Sequence, residues 1–249
     1  MGAERSISKP VAPTPPAPVE APSNRALALA GLVGGAVFVG LMVAAGQIYD
    51  AVTDEDGVSG LDQPVLNAAI ALRTPFWNSF VTGFTNLGDT PAMVVIGLLL
   101  TAGLYYRYRR RTIWVLMLVA AAGSLTFTVV GKALVGRNRP ATDFAVPPYE
   151  PSYSFPSGHT LNSTVVAGML AYLVVWLAAH VRARVIAVAA AIAWAVGIGL
   201  SRVFLGHHWL TDVMFAWLFG LAWLALLVTV HQFLVRRRLA PPAPAQLSQ

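Results

Sequence analysis

Six stretches of this chain carry no Asp, Glu, Lys or Arg over lengths close to what a helix needs to cross a bilayer. A helix rises about 1.5 Å per residue, so roughly 20 apolar residues span a hydrocarbon core of about 30 Å. The stretches are Ala26–Gly46, Thr90–Tyr106, Thr112–Gly131, Thr160–Ala179, Val185–Leu200 and Val213–Val235, two of them short. Composition agrees: charged residues are 11% of the chain, against about 25% in soluble domains, too few to cover a water-facing surface. The fold class predicted is all-α, a polytopic membrane protein with six transmembrane helices in a bundle.

The first stretch follows a basic tail and ends in Ala44-Ala45-Gly46, which loosely resembles a cleavage site. Its 21 residues exceed the roughly 7–15 of a signal's apolar region, so an uncleaved anchor is expected. Residues 76–87 are also uncharged, but twelve residues containing Asn78 and Asn86 are too few to span. They are expected to lie at the membrane surface or to be partly buried. The wider segment Leu61–Leu87 is expected to pack on the outer leaflet and border the path by which a lipid reaches the site. Residues 1–24, with six prolines, read as a disordered cytoplasmic tail, 25–236 as the six-helix domain, and 237–249, with Pro241, Pro242 and Pro244, as a second disordered tail.

Charge gives an independent test of the helix count. Arg107, Arg109, Arg110 and Arg111 lie between the second and third stretches, Arg182 and Arg184 between the fourth and fifth, and Arg236, Arg237 and Arg238 after the sixth. With six spans, all of these share one side with Arg5, Lys9 and Arg25, as the positive-inside rule requires, and both termini are cytoplasmic. That side holds twelve of the 17 Lys and Arg residues; the other holds five, against nine acidic residues. The net charge of +6 is therefore an orientation signal and not a nucleic-acid footprint. With no cysteine, disulfides, thiolate catalysis and Cys-ligated metals are excluded.

The extracytoplasmic side receives the end of the third span, the start of the fourth, the end of the fifth and the start of the sixth. There the chain carries Lys132 with Arg139-Pro140, then Pro156-Ser157-Gly158-His159, then Ser201-Arg202 with His208 and Asp212. Three permanent cations at a low-dielectric boundary are costly unless they serve a site. Arginine's planar fork matches phosphate oxygens and Lys adds a point charge, so a phosphoryl group is the natural ligand. Ser157 and Gly158 precede a helix expected to start near Thr160, where backbone N–H groups and the helix dipole favour an anion. His208 and Asp212, four apart, are expected to share one face of the sixth helix. An Asp on one imidazole nitrogen frees the other to attack phosphorus, while His159 across the anion serves as general acid.

In this order and spacing the residues resemble the three-part signature of the type 2 phosphatidic acid phosphatase and vanadium haloperoxidase superfamily: Lys132, six residues, Arg139-Pro140; Pro156 to His159; Ser201-Arg202, five residues, His208, three residues, Asp212. The match covers residues 132–212, and the six-span layout extends it to about 26–235. The resemblance implies a metal-independent phosphatase with no cofactor. In it His208 becomes a phosphohistidine, Asp212 orients it and His159 protonates the leaving group, while Lys132, Arg139, Ser157, Gly158 and Arg202 hold the phosphate. It also implies a membrane lipid phosphate or pyrophosphate as substrate, met at the extracytoplasmic face of a cell membrane. The motifs read only the phosphate: polyprenyl pyrophosphate, phosphatidic acid, diacylglycerol pyrophosphate and phosphatidylglycerophosphate all fit. They say nothing of oligomeric state. Three other functions share some of these features: a vanadate-dependent haloperoxidase, a silent lipid-phosphate-binding protein and a transporter.

The remaining polar residues have plainer readings. Arg137 reads as a solvated charge or a secondary headgroup contact. His207 receives no catalytic role, being about 100° from His208 on a helix. His180 and His231 read as interfacial, the tryptophans as belt or packing residues, and Asp89 as the N-cap of the second span with Pro91 in its first turn.

Overall fold

A computed structural model describes residues 24–239, and every regular element among them is helical. The elements are α1 (Asn24–Thr53), α2 (Asp62–Ala71), α3 (Pro75–Asn86), α4 (Thr90–Tyr108), α5 (Thr112–Val135), α6 (Gly158–Leu177), α7 (Val181–Phe204) and α8 (Leu210–Leu239). Six of them, all but α2 and α3, are long and apolar enough to cross a membrane. The expectations for residues 1–23 and 240–249 lie outside the described residues; Asn24 and 237–239, assigned to the tails, belong to α1 and α8.

Most helices outrun the charge-free stretches that announce them, because caps and turns end a helix, not the first polar side chain. At the end of α5 the chain passes Lys132 and stops only at Gly136, whose φ of 62° closes the helix with a bond from its N–H to the Lys132 carbonyl (3.1 Å). Asp89 caps α4 as expected, accepting from Thr90 N at 2.7 Å, with Pro91 behind it. The segment before α4 forms two short helices. α3 starts at Pro75 with Thr74 accepting from Trp77 N, and packs on α7 through Phe84 against Trp194 (centroids 5.8 Å apart). Its other face exposes Phe76, Trp77 and Phe80.

At the centre lies α6, packed against α4, α5, α7 and α8, with α1 outside on α8. Leu161, Val165, Met169 and Leu173 of α6 meet Ile113, Met117 and Ala120 of α5 and Ala216 of α8. Lipid tails are as apolar as these side chains, so close packing and buried hydrogen bonds bind the bundle together. Trp217 Nε1 donates to the Ala195 carbonyl (3.0 Å), Trp223 Nε1 to that of Ala120 (3.2 Å), and Ser124 Oγ to Asn162 Oδ1 (2.8 Å). His231, expected at the interface, is instead buried, its Nδ1 2.6 Å from the Tyr172 hydroxyl. The six spans alternate in direction, so the ends of α1, α5 and α7 meet the starts of α4, α6 and α8 at one end of the bundle.

Candidate active site

Each of the three motifs is placed by a helix terminus at that end. Lys132 sits in the last turn of α5 and Arg139 in the segment after its cap. α6 begins at Gly158 with Ser157 as N-cap, two residues earlier than expected, and starts hard against α5: a Cβ on Gly158 would lie 2.8 Å from Thr128 Cγ2. Arg202 lies in the last turn of α7, and the chain then reverses at Gly206, where φ is +73° and a Cβ would meet the Phe144 carbonyl oxygen at 2.3 Å. No side chain fits there. The reversal delivers His208 ahead of α8, and Asp212 follows in the first turn of that helix.

His208 and Asp212 do meet, but not as neighbours on a helical face. His208 lies before α8, in a turn, with its Nδ1 3.3 Å from Asp212 Oδ2. His208 Nε2 is 3.0 Å from Arg139 Nη1. A guanidinium only donates, so Nε2 carries the lone pair and Nδ1 the proton that faces Asp212. Burial, followed by the charges of Arg139, Arg202 and Lys132, holds the His208 imidazole well below its usual pKa, hence neutral. Asp212 is fully buried; its Oδ2 also accepts from Ser154 Oγ (2.5 Å) and Trp209 N (3.0 Å).

Beside this pair two of the three cations, Arg139 and Arg202, converge on a carboxylate that sequence reasoning missed. Glu150 is ion-paired with the buried Arg202 and accepts from Arg139 Nη2 (3.3 Å); His159 Nδ1 is 4.0 Å from its Oε1. Burial works to raise the Glu150 pKa, but Arg202, His159 and Arg139 outweigh it and depress it to about 2. Lys132 Nζ donates to Ser152 Oγ (3.2 Å) and to the Tyr153 carbonyl, and Arg139 Nε to the Ser152 carbonyl (2.7 Å). The loop that carries Glu150 is thus drawn over the cations. Arg202 Nε is buried without a hydrogen-bond partner among the described residues. Ser157 does not cap its own helix: its Oγ is 2.9 Å from Thr160 Oγ1, and its N–H donates to the Asp212 carbonyl (3.4 Å). Asp89, the α4 cap, also comes within 3.6 Å of His159 Nε2.

Lys132, Arg139, Ser157, Gly158, His159, Arg202, His208 and Asp212 therefore gather in one place. Arg137 needs correction. It is neither solvated nor free for a headgroup, because Asp62 and Asp212 hold it at 2.7 Å each. Its partners are 75 residues away in the chain on either side, beyond any local signal. His207 stands aside, but for another reason than helical angle. Its turn lies outside α8, and its Nε2 is 2.7 Å from the Val146 carbonyl, tying down the loop. Among the described residues no three His, Asp or Glu side chains are grouped to hold a metal ion.

The profile of the PAP2 superfamily matches residues 111–236. Phosphatidylglycerophosphatase B of Bacillus subtilis (strain 168) is 34% identical over 178 residues, covering 70% of this chain and 85% of that protein. A crystal structure of the transmembrane PAP2 type phosphatidylglycerolphosphate phosphatase from Bacillus subtilis is 30% identical and superposes with a TM-score of 0.69 over 80% of this chain and 96% of that one. LpxE of Aquifex aeolicus, 19% identical, shares the fold, with a TM-score of 0.53 over 69% of this chain and 95% of its own.

Proposed function

The chain belongs to the PAP2 superfamily and is a membrane phosphatase, and from that premise we propose that it removes a terminal phosphate from a lipid through a phosphohistidine on His208, at the extracytoplasmic headgroup level. One observation carries the reading: a buried neutral imidazole has one nitrogen on Asp212 and the other turned toward Arg139, beside an anion site built by Arg139 and Arg202.

The substrate phosphate takes the position now held by the Glu150 carboxylate. Its non-bridging oxygens receive the Arg202 and Arg139 guanidinium groups and the charge of Lys132. The first-turn amides of α6, left uncapped by the Ser157 side chain, add their dipole. The Arg139 N–H that now meets His208 Nε2 passes to a phosphate oxygen, and the lone pair attacks phosphorus. The bond from phosphorus to the lipid oxygen breaks, and His159, entering the step as imidazolium, donates its extra proton to that oxygen and is left neutral. Imidazolium charge on His208 is stabilised through Nδ1–H by Asp212. Water then attacks the phosphohistidine, His159 takes its proton, the P–N bond breaks, and inorganic phosphate leaves with His208 neutral again. Preorganised donors of this kind are each worth about 10²–10³ in rate.

Charge supports the orientation. Arg107, Arg109, Arg110, Arg111, Arg182 and Arg184 lie at the bundle end opposite the site, and Asp50, Asp54, Glu55 and Asp56 at its own end. Phosphatidylglycerophosphate, the substrate in the relatives' names, is the lipid to test first. The expected result is release of inorganic phosphate from this lipid by purified protein in saturating chelator, abolished by His208→Ala at unchanged membrane insertion. Substantial turnover by His208→Ala would sink the nucleophile assignment, and loss of activity that a divalent ion restores would sink the metal-free mechanism.

A further inference from the structure

Behind the nucleophile lies a second charged array that the reaction above does not use. Asp62, at the start of α2, is buried and accepts from three donors: Thr211 N at 2.9 Å, Thr211 Oγ1 at 2.7 Å and Arg137 Nη2 at 2.7 Å. Arg137 in turn gives Nη1 to Asp212 Oδ1 at 2.7 Å and to Thr211 Oγ1 at 2.8 Å. Its guanidinium carbon stands 5.6 Å from the Trp209 ring centroid, and its carbonyl accepts from Ser154 N at 2.8 Å. Ser154 Oγ and Trp209 N are the two groups that hold Asp212 Oδ2 beside the imidazole. The two oxygens of Asp212 are thus divided: Oδ1 belongs to Arg137 and Oδ2 to His208 and its supports.

We infer that Arg137, held by Asp62, is a positioning residue for catalysis, orienting the Asp212 carboxylate and keeping it anionic so that it can stabilise the imidazolium formed at His208. The inference rests on the roles proposed above for His208 and Asp212.

The charge balance explains why two further residues are involved. A carboxylate as enclosed as that of Asp212 carries a large desolvation cost unless a cation faces it. Arg137 supplies that cation in bidentate reach of two acids, a geometry suited to a planar guanidinium. A lone Arg137 would also cancel the charge that His208 needs when its imidazole becomes cationic. Asp62 balances Arg137, so the trio keeps one net negative charge, and only Asp212 Oδ2 faces the nucleophile. Thr211 locks the register, donating its hydroxyl proton to Asp62 while accepting from Arg137. Neither Arg137 nor Asp62 touches the anion site, so their effect must pass through Asp212.

A double-mutant cycle on the purified phosphatase separates this role from a merely structural one. Phosphatidylglycerophosphate is the probe, with kcat and KM read separately. Partners that orient the ligands of a metal site are worth about 10–100-fold; Arg137 stands in the same relation to Asp212, so Arg137→Gln is expected to lower kcat by about that factor with KM changed less than about threefold. Arg137→Lys is expected to recover part of the loss. In an Asp212→Asn background, where no carboxylate remains to be held, Arg137→Gln should cost less than about threefold more. Wild-type kcat in Arg137→Gln overturns the inference, as does a loss that multiplies in full onto Asp212→Asn. If Asp212→Asn itself keeps wild-type kcat, the parent reading of the nucleophile fails instead. Should Arg137→Gln not be recovered folded, the same cycle with Asp62→Asn decides, with the same outcomes for and against.

Discussion

Gly158 stands in the motif that opens α6, and its need for a bare α-carbon has a cause that mutagenesis can isolate. A Cβ placed there would lie 2.8 Å from Thr128 Cγ2, but 3.9 Å from Thr128 Oγ1 and 4.0 Å from its Cβ. Carbon atoms rest at about 3.5–4.0 Å, so one methyl group alone makes the clash, by roughly 1 Å. Overpacking of this kind costs about 1–3 kcal/mol. For a chain of this size the apparent Tm of Gly158→Ala in detergent should fall by about 2–12 °C. The start of α6 must also retreat from α5, carrying His159 with it, and a displacement near 1 Å can cost about 10²-fold in kcat. Thr128→Ser removes the offending methyl and keeps the hydroxyl, which donates to the Ser124 carbonyl at 2.9 Å. Alone it should cost about 1 kcal/mol, as expected for one deleted methyl group. Combined with Gly158→Ala, it should return both Tm and kcat close to the values of Thr128→Ser alone, because the new methyl occupies the vacated space. Differential scanning fluorimetry and phosphate release on the four proteins complete the cycle. A single Gly158→Ala variant with unchanged Tm and kcat would refute the packing account. So would a double variant that regains Tm but not kcat, since the added methyl would then be obstructing the anion and not the helix.

Glu150→Gln removes the charge that competes with phosphate for Arg139 and Arg202. Charge-assisted hydrogen bonds are worth about 1.5–3 kcal/mol. The carboxylate is 28% exposed, and screening takes the lower end of that range, so the inhibition constant of inorganic phosphate should fall about tenfold. An unchanged constant would show that Glu150 does not occupy the phosphate position. A further expectation concerns pH. Burial, then the Arg202 charge, pushes His207 down to about 4, while in the unfolded chain it titrates near the usual 6.5. The unfolded state then binds more protons between those values, so stability is complete above about pH 6.5 and is lost as the pH falls toward 4. His207→Gln retains a donor for the Val146 carbonyl and should flatten the fall in apparent Tm over that window, leaving the part due to the other histidines; an identical slope would contradict the assignment.

Which parts of this molecule are legible in its sequence depends on how local their causes are. The six spans are, because the length of a charge-free run is a local property and bilayer thickness sets the threshold. Helix ends are less so, since they depend on a conformation such as the positive φ at Gly136. The cations and histidines of the site are legible because alternating spans must bring their helix ends together. The spacing of His208 and Asp212 predicts the right contact through the wrong geometry: α8 begins at Leu210, and a turn, not a helical face, joins the pair. Arg137 is misread for a related reason. Its acids come from α2 and α8, and no window of sequence contains both.

Glu150 is the instructive omission, because electrostatics alone demands something like it. Three cations gathered at membrane depth repel one another and lose hydration, so a folded protein without substrate must compensate them from its own residues. The loop that crosses the site, between Gly136 and Ser157, contains two acids, Asp143 and Glu150. Asp143 lies in the short turn Thr142–Phe144 and is exposed, and that turn is pinned by Arg73, whose Nη1 donates to the Phe144 carbonyl at 2.7 Å. The Val146 N–H donates to the Leu205 carbonyl at 2.9 Å, and His207 holds the Val146 carbonyl, so the chain beyond is turned back toward Arg202. Charge balance thus narrows the counter-anion to two residues, and the anchoring of one turn selects Glu150. A site that gathers cations to bind phosphate must be neutralised before phosphate arrives, and on the proposed mechanism the neutralising carboxylate is also the competitor that substrate has to displace.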